Sequence, residues 1–459
     1  MGKPHILAVA YPAQGHVIPM MELVLCLSKH GFKITFVNTE SIHKRVMSAF
    51  SVGDYAGEMI NFVAIPDGME PWEDRGDLGR LTETMLQVMP GKLEELIEEK
   101  RGIDDDEITC IIADENAGWA LGVAEKMGIK RAAFWPAAAA MLGLLFRIQE
   151  LIQNKILDTD GSILKCHKFT LSPGMPIMST EIFAAFSGTN AGKILFDSVV
   201  YNNKVVKGAD WIICNTSAEL EPEALSLFPE ISPIGPLMAS SRSGESAGHL
   251  WPVDATCISW LDQQPACSVI YAAFGSFTLF DIDQLQELAQ GLEMTDRPFL
   301  WVVRPDMTNE KIKTYLEEFE AKIQNRGRIV SWAPQDKVLS HPSVGCFLSH
   351  CGWNSTMEGV SNGIPFLCWP YFTDQYLNQN YICDVWKIGL GLSKGETGLI
   401  TREEISSKVE QLLRDKSFRK RALLYKEKAV NSIQKGGGSD KNMSNFVKWI
   451  SSGTEMCKP

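Results

Sequence analysis

Short apolar segments alternate with stretches of helical periodicity along most of this 459-residue chain. In the first half the apolar segments are "HILAVAY", "KITFVNT", "INFVAIP", "ITCIIAD" and "RAAFWP", and in the second half "SVIYAAFGS", "FLWVVRP", "RIVSWA", "GCFLSH" and "PFLCWP". Alternation of this kind indicates βαβ units, which build parallel sheets. The sequence therefore predicts an α/β fold with one doubly wound parallel sheet in each half.

A stretch rich in Pro, Ser and Gly at 231–252, "ISPIGPLMASSRSGESAGHLWP", interrupts the alternation and has the composition of an interdomain linker. The chain is also longer than one hydrophobic core usually sustains. Ligands of open α/β sheets bind beyond the carboxyl ends of the strands, so we expect a site in the cleft between two facing Rossmann-like domains. The expected parts are an N-terminal domain (1–237), a linker (238–255), a C-terminal domain (256–435) and a C-terminal helix (436–459).

The C-terminal segment "KGGGSDKNMSNFVKWISS" predicts a short amphipathic helix. Ser439 or Asp440 is the expected N-cap, because short polar side chains bond the free N–H groups at a helix start. Apolar side chains then share one side of the helix, and that side should pack back on the N-terminal domain. These side chains are Met443, Phe446, Val447 and Ile450.

Composition excludes several classes of partner. The formal charge of −12, without long acidic runs, disfavours nucleic acid and anionic membranes. The longest nearly uncharged apolar run, Ala132 to Phe146, contains Pro136 and is too short for a membrane helix, so we expect no membrane insertion. The first residues read as a strand and not as a signal peptide, and 11 cysteines without a CxxC pair are typical of reduced thiols. We expect a cytoplasmic monomer.

The loop after the first strand, "YPAQGHVIPM", places His16 at a helix start. It lacks the GxGxxG spacing of a dinucleotide site and offers an imidazole instead. The helix N-terminus disfavours a protonated ring, so His16 should be neutral and able to accept a proton, although a loop histidine without a role is the alternative. Asp114 ends "ITCIIAD" and should emerge at the same sheet edge, where it could fix the tautomer of His16. Glu115 ranks second as this partner, and Asp114 could instead cap the helix beginning near Ala117.

Two loops in the second half offer groups for an anion. "FGSFT" follows a strand and precedes a helix, and Ser276 and Thr278 add hydroxyl groups to its backbone N–H groups. Further on, "GCFLSH", "CGW" and "NSTMEGVS" read as a strand, a turn and a helix start. Asn354 and Ser355 then stand at a helix N-terminus, where free N–H groups bind phosphate.

The residues around this second loop suit the parts of a sugar nucleotide. His350 could add a hydrogen bond or a positive charge. Cys351 has neither a second cysteine at ligand spacing nor an obvious base, which disfavours a metal site and a cysteine nucleophile. Trp332 offers a flat face for a nucleobase, Glu358 could bind ribose hydroxyls, and Asp374 and Gln375 offer polar groups to a sugar.

The ordered set W-x-x-Q, H-C-G-W-N-S, E and D-Q within 332–375 resembles the signature box of plant family 1, or secondary-product, UDP-glycosyltransferases. "YPAQGHVIPM", "GFKITFVNTE", "IPDGME" and "FGSFT" also look like blocks of that family, so the likeness covers the whole chain. The resemblance implies a GT-B fold and metal-independent sugar transfer with inversion at the anomeric carbon. It also implies UDP-glucose as the donor. In this family a Gln at the position of Gln375 goes with glucose donors, whereas a His there goes with galactose donors.

The resemblance implies a role for each matched residue. His16 would be the general base that deprotonates the acceptor hydroxyl, and Asp114 its partner. UDP would depart from the opposite face of the sugar, and no metal or other cofactor is implied. The implied donor contacts are Trp332, Ala333 and Gln335 at the base, Glu358 at the ribose, His350, Asn354 and Ser355 at the diphosphate, Trp353, Asp374 and Gln375 at the sugar, and additionally Ser276 and Thr278.

The acceptor pocket should come from loops within 66–90, 117–150 and 175–200, whose Met, Phe and Trp content favours a flat or apolar aglycone. Phenolics such as flavonoids or phenylpropanoids lead, with terpenoids as the alternative. The segment "NTESIHKR" departs from the family's "NTEYNHRR"-type sequence, which concerns the acceptor and not the donor. A UDP-sugar epimerase or hydrolase and a silent UDP-sugar binder remain as rivals on this fold, but a silent binder has no need of His16 and Asp114, and an epimerase has no need of an acceptor pocket.

Overall fold

The chain folds into two compact units. Unit 1 comprises Met1–Leu250 and Asn431–Pro459, and unit 2 comprises Trp251–Val430. The computed structural model describes residues 4–49, 59–102, 107–237 and 250–452. The residues 238–249, which form most of the expected linker, therefore lie outside the described part of the chain.

A parallel sheet forms the centre of unit 1. Its strands are β1 His5–Val9, β2 Lys33–Thr39, β3 Ile60–Ile65, β4 Ile108–Asp114 and β5 Lys130–Trp135, followed after the short antiparallel pair β6 Lys168–Phe169 and β7 Met178–Ser179 by β8 Trp211–Cys214 and β9 Ile231–Pro233. The strand order is β3-β2-β1-β4-β5-β8-β9. The order reverses between β1 and β4, and ligands of such sheets bind at the carboxyl ends of the strands at this reversal.

Helices connect these strands. Several begin at a side chain that satisfies a free N–H group of the first turn, as Asp77 does for Arg80 N and Thr189 for Gly192 N. The helices of unit 1 are Gln14–Ser28, Glu40–Ala49, Leu78–Glu98, Trp119–Met127, Ala139–Phe146, Ile148–Gln153, Asn190–Lys207, Pro222–Leu227 and Gly438–Ser451, with 3₁₀ turns at Glu115–Ala117 and Thr180–Phe186.

The stretch 231–252, which has the composition of a linker, begins with a strand. Ile231–Pro233 forms β9, which pairs in parallel with β8 at the edge of the unit 1 sheet. Three residues are too few to show a strand period, and Pro233 discourages a strand assignment except at an edge, where the missing N–H is tolerated. These three residues thus belong to the unit 1 sheet although their composition is typical of a linker.

The C-terminal helix Gly438–Ser451 packs within unit 1. Met443, Phe446 and Ile450 belong to the same buried cluster as the helix after β1, and Val447 packs against that cluster. The predicted N-cap is wrong, because the helix is capped at Gly437 and Asp440 lies in its first turn. There the Asp440 carboxylate accepts a hydrogen bond from Gly436 N at 2.8 Å. Its negative charge also interacts favourably with the positive end of the helix dipole.

A second parallel sheet forms the centre of unit 2. Its strands are β10 Val269–Ala273, β11 Phe299–Val302, β12 Gly327–Val330, β13 Val344–Ser349, β14 Phe366–Cys368 and β15 Gly389–Gly391. Their order is β12-β11-β10-β13-β14-β15, so the reversal lies between β10 and β13. The predicted α/β fold with two parallel sheets is thus confirmed.

The helices of unit 2 connect its strands in the same alternation. Asp281 and Asn309 cap two of them by accepting bonds from Gln284 N and Ile312 N. No helix in the described part of the chain combines the length and the apolar composition needed to cross a bilayer. The helices are Thr256–Leu261, Ile282–Met294, Glu310–Ile323, Gln335–Ser340, Trp353–Asn362, Asp374–Asn380, Arg402–Arg414 and Lys416–Ile433, the last of which contains a unit boundary.

Candidate active site

His16 and Asp114 meet at the switch point of the unit 1 sheet. His16 lies in the first turn of the helix after β1, and Asp114 is the last residue of β4, the strand beside β1. Nδ1 of His16 lies 2.9 Å from Oδ2 and 3.1 Å from Oδ1 of Asp114. Asp114 is fully buried, whereas about a quarter of the His16 side chain is exposed (24%). A carboxylate at Nδ1 favours the tautomer whose Nε2 accepts a proton.

Asp114 serves this pair and a helix start at once. Its Oδ1 also accepts a bond from Asn116 N at 2.9 Å, which caps the 3₁₀ turn Glu115–Ala117. The two roles that the sequence left as alternatives are therefore both present. Because this hydrogen bond holds the Asp114 carboxylate in place, it also sets where the carboxylate lies relative to Nδ1 of His16.

Tyr11 completes the surroundings of His16. The two rings pack edge to face with centroids 5.3 Å apart. Burial raises the pKa of Tyr11 to about 12, against an opposing hydrogen bond with Thr82, and the nearby charge of Asp114 raises it further. Tyr11 therefore stays a neutral phenol at any working pH of the protein.

Glu115, the second-ranked partner, does not engage His16. It is 1% exposed, and neither of its carboxyl oxygens has a hydrogen-bond partner among the described residues. Burial raises the pKa of Glu115 to about 8, with a smaller contribution from the charge of Asp114. Near pH 7 this carboxyl is therefore mostly protonated, unlike a carboxylate that could stabilise an imidazolium.

In unit 2, two glycines enclose the imidazole of His350. A β-carbon at Gly275, in the loop after β10, would lie 2.5 Å from Nε2 of His350, and a β-carbon at Gly352 would lie equally close. Gly275 also has a φ of +68°, in the left-handed region that favours glycine. The switch point of this sheet therefore holds a histidine that only glycine neighbours admit.

His350 is neutral in this position. Burial lowers its pKa to about 4, and the positive charge of Arg304 lowers it further. Of the two contributions that the sequence allowed for His350, a hydrogen bond and a positive charge, only the hydrogen bond fits. Arg304 itself is 2% exposed, pairs with Asp306 at 3.0 Å and donates to the carbonyl of Gly275.

Gln335 forms one hydrogen-bond network with Ser355 and Glu358, and all three are predicted to bind the sugar nucleotide. Its Nε2 donates to Ser355 Oγ at 2.9 Å and to Glu358 Oε2 at 2.6 Å. Its Oε1 accepts from the hydroxyl of Tyr271 at 3.1 Å. Burial raises the pKa of Tyr271 well above its usual range, so this hydroxyl keeps its proton and remains a donor. The amide orientation of Gln335 is therefore fixed on both sides.

The two signature tryptophans have different surroundings. Trp332 is partly exposed and stacks on Trp251, with centroids 6.1 Å apart and ring planes 27° from parallel. Trp353 is only 3% exposed and packs against Tyr381 and Trp386. Its indole is therefore part of the core, and a sugar contact at this position would come from the backbone N–H at the helix start.

Asp374 and Gln375 start the helix after β14. Oε1 of Gln375 accepts from Tyr371 N at 2.7 Å and from Phe372 N at 3.2 Å, which holds the preceding loop. Asp374 accepts from Asn378 Nδ2 at 2.8 Å.

The remaining predicted donor residues lie in the loops after β10, β12 and β13. Asn354 and Ser355 occupy the first turn of the helix after β13, and Ala333 is buried next to Trp332. Ser276 is partly exposed, and the hydroxyl of Thr278 is buried without a hydrogen-bond partner in the described ranges.

Comparison with known proteins decides the family. The profile of the family "UDP-glucoronosyl and UDP-glucosyl transferase" matches residues 236–431. UDP-glycosyltransferase 83A1 of Arabidopsis thaliana is 44% identical to this chain over 98% of each sequence. This chain is a plant family 1 UDP-glycosyltransferase.

Solved structures agree with this assignment. The UDP complex of Os79 from O. sativa superposes with a TM-score of 0.80 at 28% identity, covering 97% of this chain and 100% of that one. Phytolacca americana UGT2 with UDP-2fluoro-glucose and pterostilbene gives a TM-score of 0.79 at 26% identity, covering 98% and 99%. The UDP-glycosyltransferase therefore has the GT-B fold and transfers sugar from a UDP-sugar donor to small acceptors.

Three residues that contact the predicted donor residues or their loops were missed from the sequence. Tyr271 lies inside β10, and a residue within a strand carries no loop signal. Arg304 does follow β11, and a charged residue at the carboxyl end of a strand is a signal that could have found it. Asn378, four residues after Asp374 on one helix, donates to Asp374 and to the carbonyl of Cys351 at 2.9 Å.

The donor substrate of the transferase is a UDP-sugar, and the family indicates no metal cofactor. Within the described ranges, no three side chains of the His, Cys, Asp and Glu types are grouped to hold a metal ion.

Proposed function

We propose that this transferase moves glucose from UDP-glucose to a hydroxyl of a small lipophilic phenolic, with inversion at the anomeric carbon and without a metal ion. The observation that carries the proposal is the 2.9 Å contact between His16 Nδ1 and Asp114 Oδ2. In this role Nε2 of His16 takes the acceptor proton as the acceptor oxygen attacks. Asp114 then stabilises the imidazolium, a partnership known from hydrolase triads.

The donor is held by unit 2 in this proposal. Trp332 stacks on uracil with the face opposite Trp251, and Ala333 and Gln335 adjoin the base. Glu358, oriented by Gln335, binds the ribose hydroxyls. The N–H groups at the start of the helix Trp353–Asn362, together with Asn354, Ser355 and neutral His350, stabilise the charge that develops on the diphosphate as UDP leaves. Ser276 and Thr278 add hydroxyl donors from the loop after β10.

The sugar preference follows from Gln375. Its carbonyl oxygen already accepts two backbone bonds, so its amide N–H groups are the part that would donate to a sugar hydroxyl. Asp374 would accept from a neighbouring hydroxyl of the same sugar. Both groups could bond the hydroxyls of any hexose, so the family resemblance at Gln375 carries the preference, and on that ground we propose UDP-glucose over UDP-galactose.

The acceptor binds unit 1, in the proposed division of labour. Residues 1–237 with the C-terminal helix then form the acceptor domain, 238–255 the linker, and 256–435 the UDP-sugar domain. Tyr11, which packs edge to face on His16 and stays a neutral phenol, supports an apolar aglycone beside the proposed base. We propose flavonoids or phenylpropanoids as the acceptors, with terpenoid alcohols as the second choice.

We also propose that the transferase is a cytoplasmic monomer. Support for the cytoplasmic location comes from its cysteines, since the ten in the described ranges are all free thiols, as expected for a reducing compartment. A single molecular mass in sedimentation or light scattering would test the monomer.

An acceptor panel tests the proposed reaction. Wild type is incubated with UDP-glucose or UDP-galactose and a mixture of flavonoids, phenylpropanoids and terpenoid alcohols, and products are identified by mass. We expect hexose adducts on phenolics from UDP-glucose, absent with His16→Ala and retained with His30→Ala, an exposed histidine just after the same helix. UDP release without any adduct would indicate hydrolysis and contradict the proposal.

A further inference from the structure

Three thiols lie together behind the donor loops of unit 2. Sγ of Cys383 lies 3.8 Å from Sγ of Cys368, and the thiol of Cys351 also contacts Cys368. Cys368 ends β14, Cys351 follows β13, and Cys383 lies in the π-helical turn Tyr381–Val385. None of the three takes part in the mechanism proposed above.

The three thiols differ in their access to solvent. Cys351 and Cys368 are fully buried, whereas Cys383 is partly exposed. Burial raises the pKa of Cys368 well above its usual range, so Cys368 stays a protonated thiol. An oxidant from solution therefore meets Cys383 first, and Cys368 is the thiol next to it.

The segment between Cys368 and Cys383 contains Asp374 and Gln375. Gln375 holds the loop ahead of the helix, and Thr373 within that loop has a φ of +48°, which is unusual for a residue other than glycine. Asn378 links the same helix to the carbonyl of Cys351 in the loop after β13. A movement of Cys383 toward Cys368 would therefore reach both donor loops.

We propose that Cys368 and Cys383 form a reversible disulfide in response to hydrogen peroxide, and that this disulfide lowers the affinity of unit 2 for its UDP-sugar donor. The Cys383 thiolate attacks one peroxide oxygen, the O–O bond breaks, and hydroxide leaves and takes up a proton to give water. Cys368 sulfur then attacks the sulfenic acid sulfur of Cys383. The S–O bond breaks, and the hydroxyl leaves as water with the Cys368 proton. One peroxide accepts the two electrons that the two thiols lose.

The size of the effect follows from the distance that must close. The sulfur atoms now lie 3.8 Å apart, whereas a disulfide bond is about 2.05 Å long. Closing this gap displaces the segment that carries Asp374 and Gln375. We therefore expect oxidation to weaken UDP and UDP-glucose binding by about tenfold, which is the loss that one to two hydrogen bonds to the donor would cause. The sugar part of this expectation rests on the proposed roles of Asp374 and Gln375, and the UDP part does not.

The test uses full-length protein treated with hydrogen peroxide. Peptide mass spectrometry locates disulfides, calorimetry measures UDP and UDP-glucose affinity, and dithiothreitol tests reversal. We expect a Cys368–Cys383 disulfide, weaker binding of both ligands, and recovery on reduction. Cys383→Ser and Cys383→Ala should keep the affinity of the reduced wild type and resist peroxide, whereas Cys267→Ser, which removes an exposed thiol of the same unit, should respond like wild type.

Two results would overturn the proposal. One is that peroxide oxidises other cysteines without joining Cys368 to Cys383. The other is that the disulfide forms and UDP affinity does not change. A reduced protein that binds UDP but not UDP-glucose would contradict the proposed donor instead, and the response of UDP affinity to oxidation would still decide the switch.

Discussion

The imidazole of His350 leaves no room for a side chain at Gly275. A β-carbon there would lie 2.5 Å from Nε2 of His350, far inside normal contact distance. The two residues follow β10 and β13, the adjacent strands between which the sheet order reverses. The loop after β10 therefore packs directly against the histidine of the signature box.

Gly275→Ala should displace His350 and weaken UDP binding by about tenfold, which is the effect of losing a hydrogen bond of about 1 to 1.5 kcal/mol to the diphosphate. Calorimetric titration with UDP measures the effect. Gly391→Ala is a suitable control, because its added β-carbon meets only the side chain of Gln379 at 3.4 Å. Equal UDP affinity in Gly275→Ala and wild type would mean that the position of His350 does not matter for the donor.

Tyr271→Phe removes the hydroxyl that donates to Gln335 Oε1 and should raise KM for the UDP-sugar. One hydrogen bond contributes about 1 kcal/mol, so we expect up to about tenfold in KM with little change in kcat. Steady-state kinetics at varied donor concentration measure this. Tyr315→Phe, which loses a bond to Gln290 in the same unit, should leave KM unchanged. A similar KM in both variants would argue against a role for the Gln335 network.

Asp114→Asn should lower kcat by about 10²- to 10⁴-fold while the protein stays folded. The asparagine oxygen can still accept from Asn116 N, but the neutral amide supplies no negative charge to stabilise the imidazolium of His16. The NH2 group that replaces Oδ2 would also face Nδ1 of His16 and disfavour the tautomer with a proton on Nδ1. Glu115→Gln makes the same change of carboxyl to amide one residue later, and we expect near-wild-type kcat. Equal kcat values for Asp114→Asn and Glu115→Gln would contradict the proposed pair.

Glu115 should make the protein less stable at alkaline pH. Its pKa rises from 4.5 to about 8 on folding, so the folded chain holds this proton more tightly than the unfolded chain. The free energy of unfolding then falls as pH rises from about 4.5 to 8, by an amount on the order of 5 kcal/mol, and levels off above that range.

Denaturant unfolding of wild type and Glu115→Gln between pH 5 and 9, a window of about two units either side of neutrality, tests this expectation. The variant should match wild type at the acidic end and exceed it at the alkaline end. Parallel curves for the two proteins would show that the Glu115 carboxyl does not titrate between the folded and unfolded states as described.

The sequence predicted contacts that depend on where strands end. The contact between His16 and Asp114 could be predicted, because the carboxyl ends of neighbouring parallel strands lie at the same edge of a sheet. The signature residues on the loops after β13 and β14 follow the same rule. The roles of these residues remain proposals, since their positions do not by themselves establish chemistry.

Contacts that depend on side-chain direction could not be predicted. Tyr271 reaches Gln335 from within β10, and sequence alone does not say which partner a strand residue meets across a sheet. The burial of Trp353 against Tyr381 and Trp386 depends on a π-helical turn that has no reliable sequence signal. The strand β9 was missed because three residues show no period.

The role of His16 as a general base is tested most directly by the rate ratio of wild type to His16→Ala with two acceptors. One acceptor is a weakly acidic phenol, and the other is a nitrophenol that is already ionised at the assay pH. If His16 removes the acceptor proton, the ratio should be about 10² or more for the first phenol and near unity for the second. An equally large ratio for both acceptors, or no loss with either, would contradict the account.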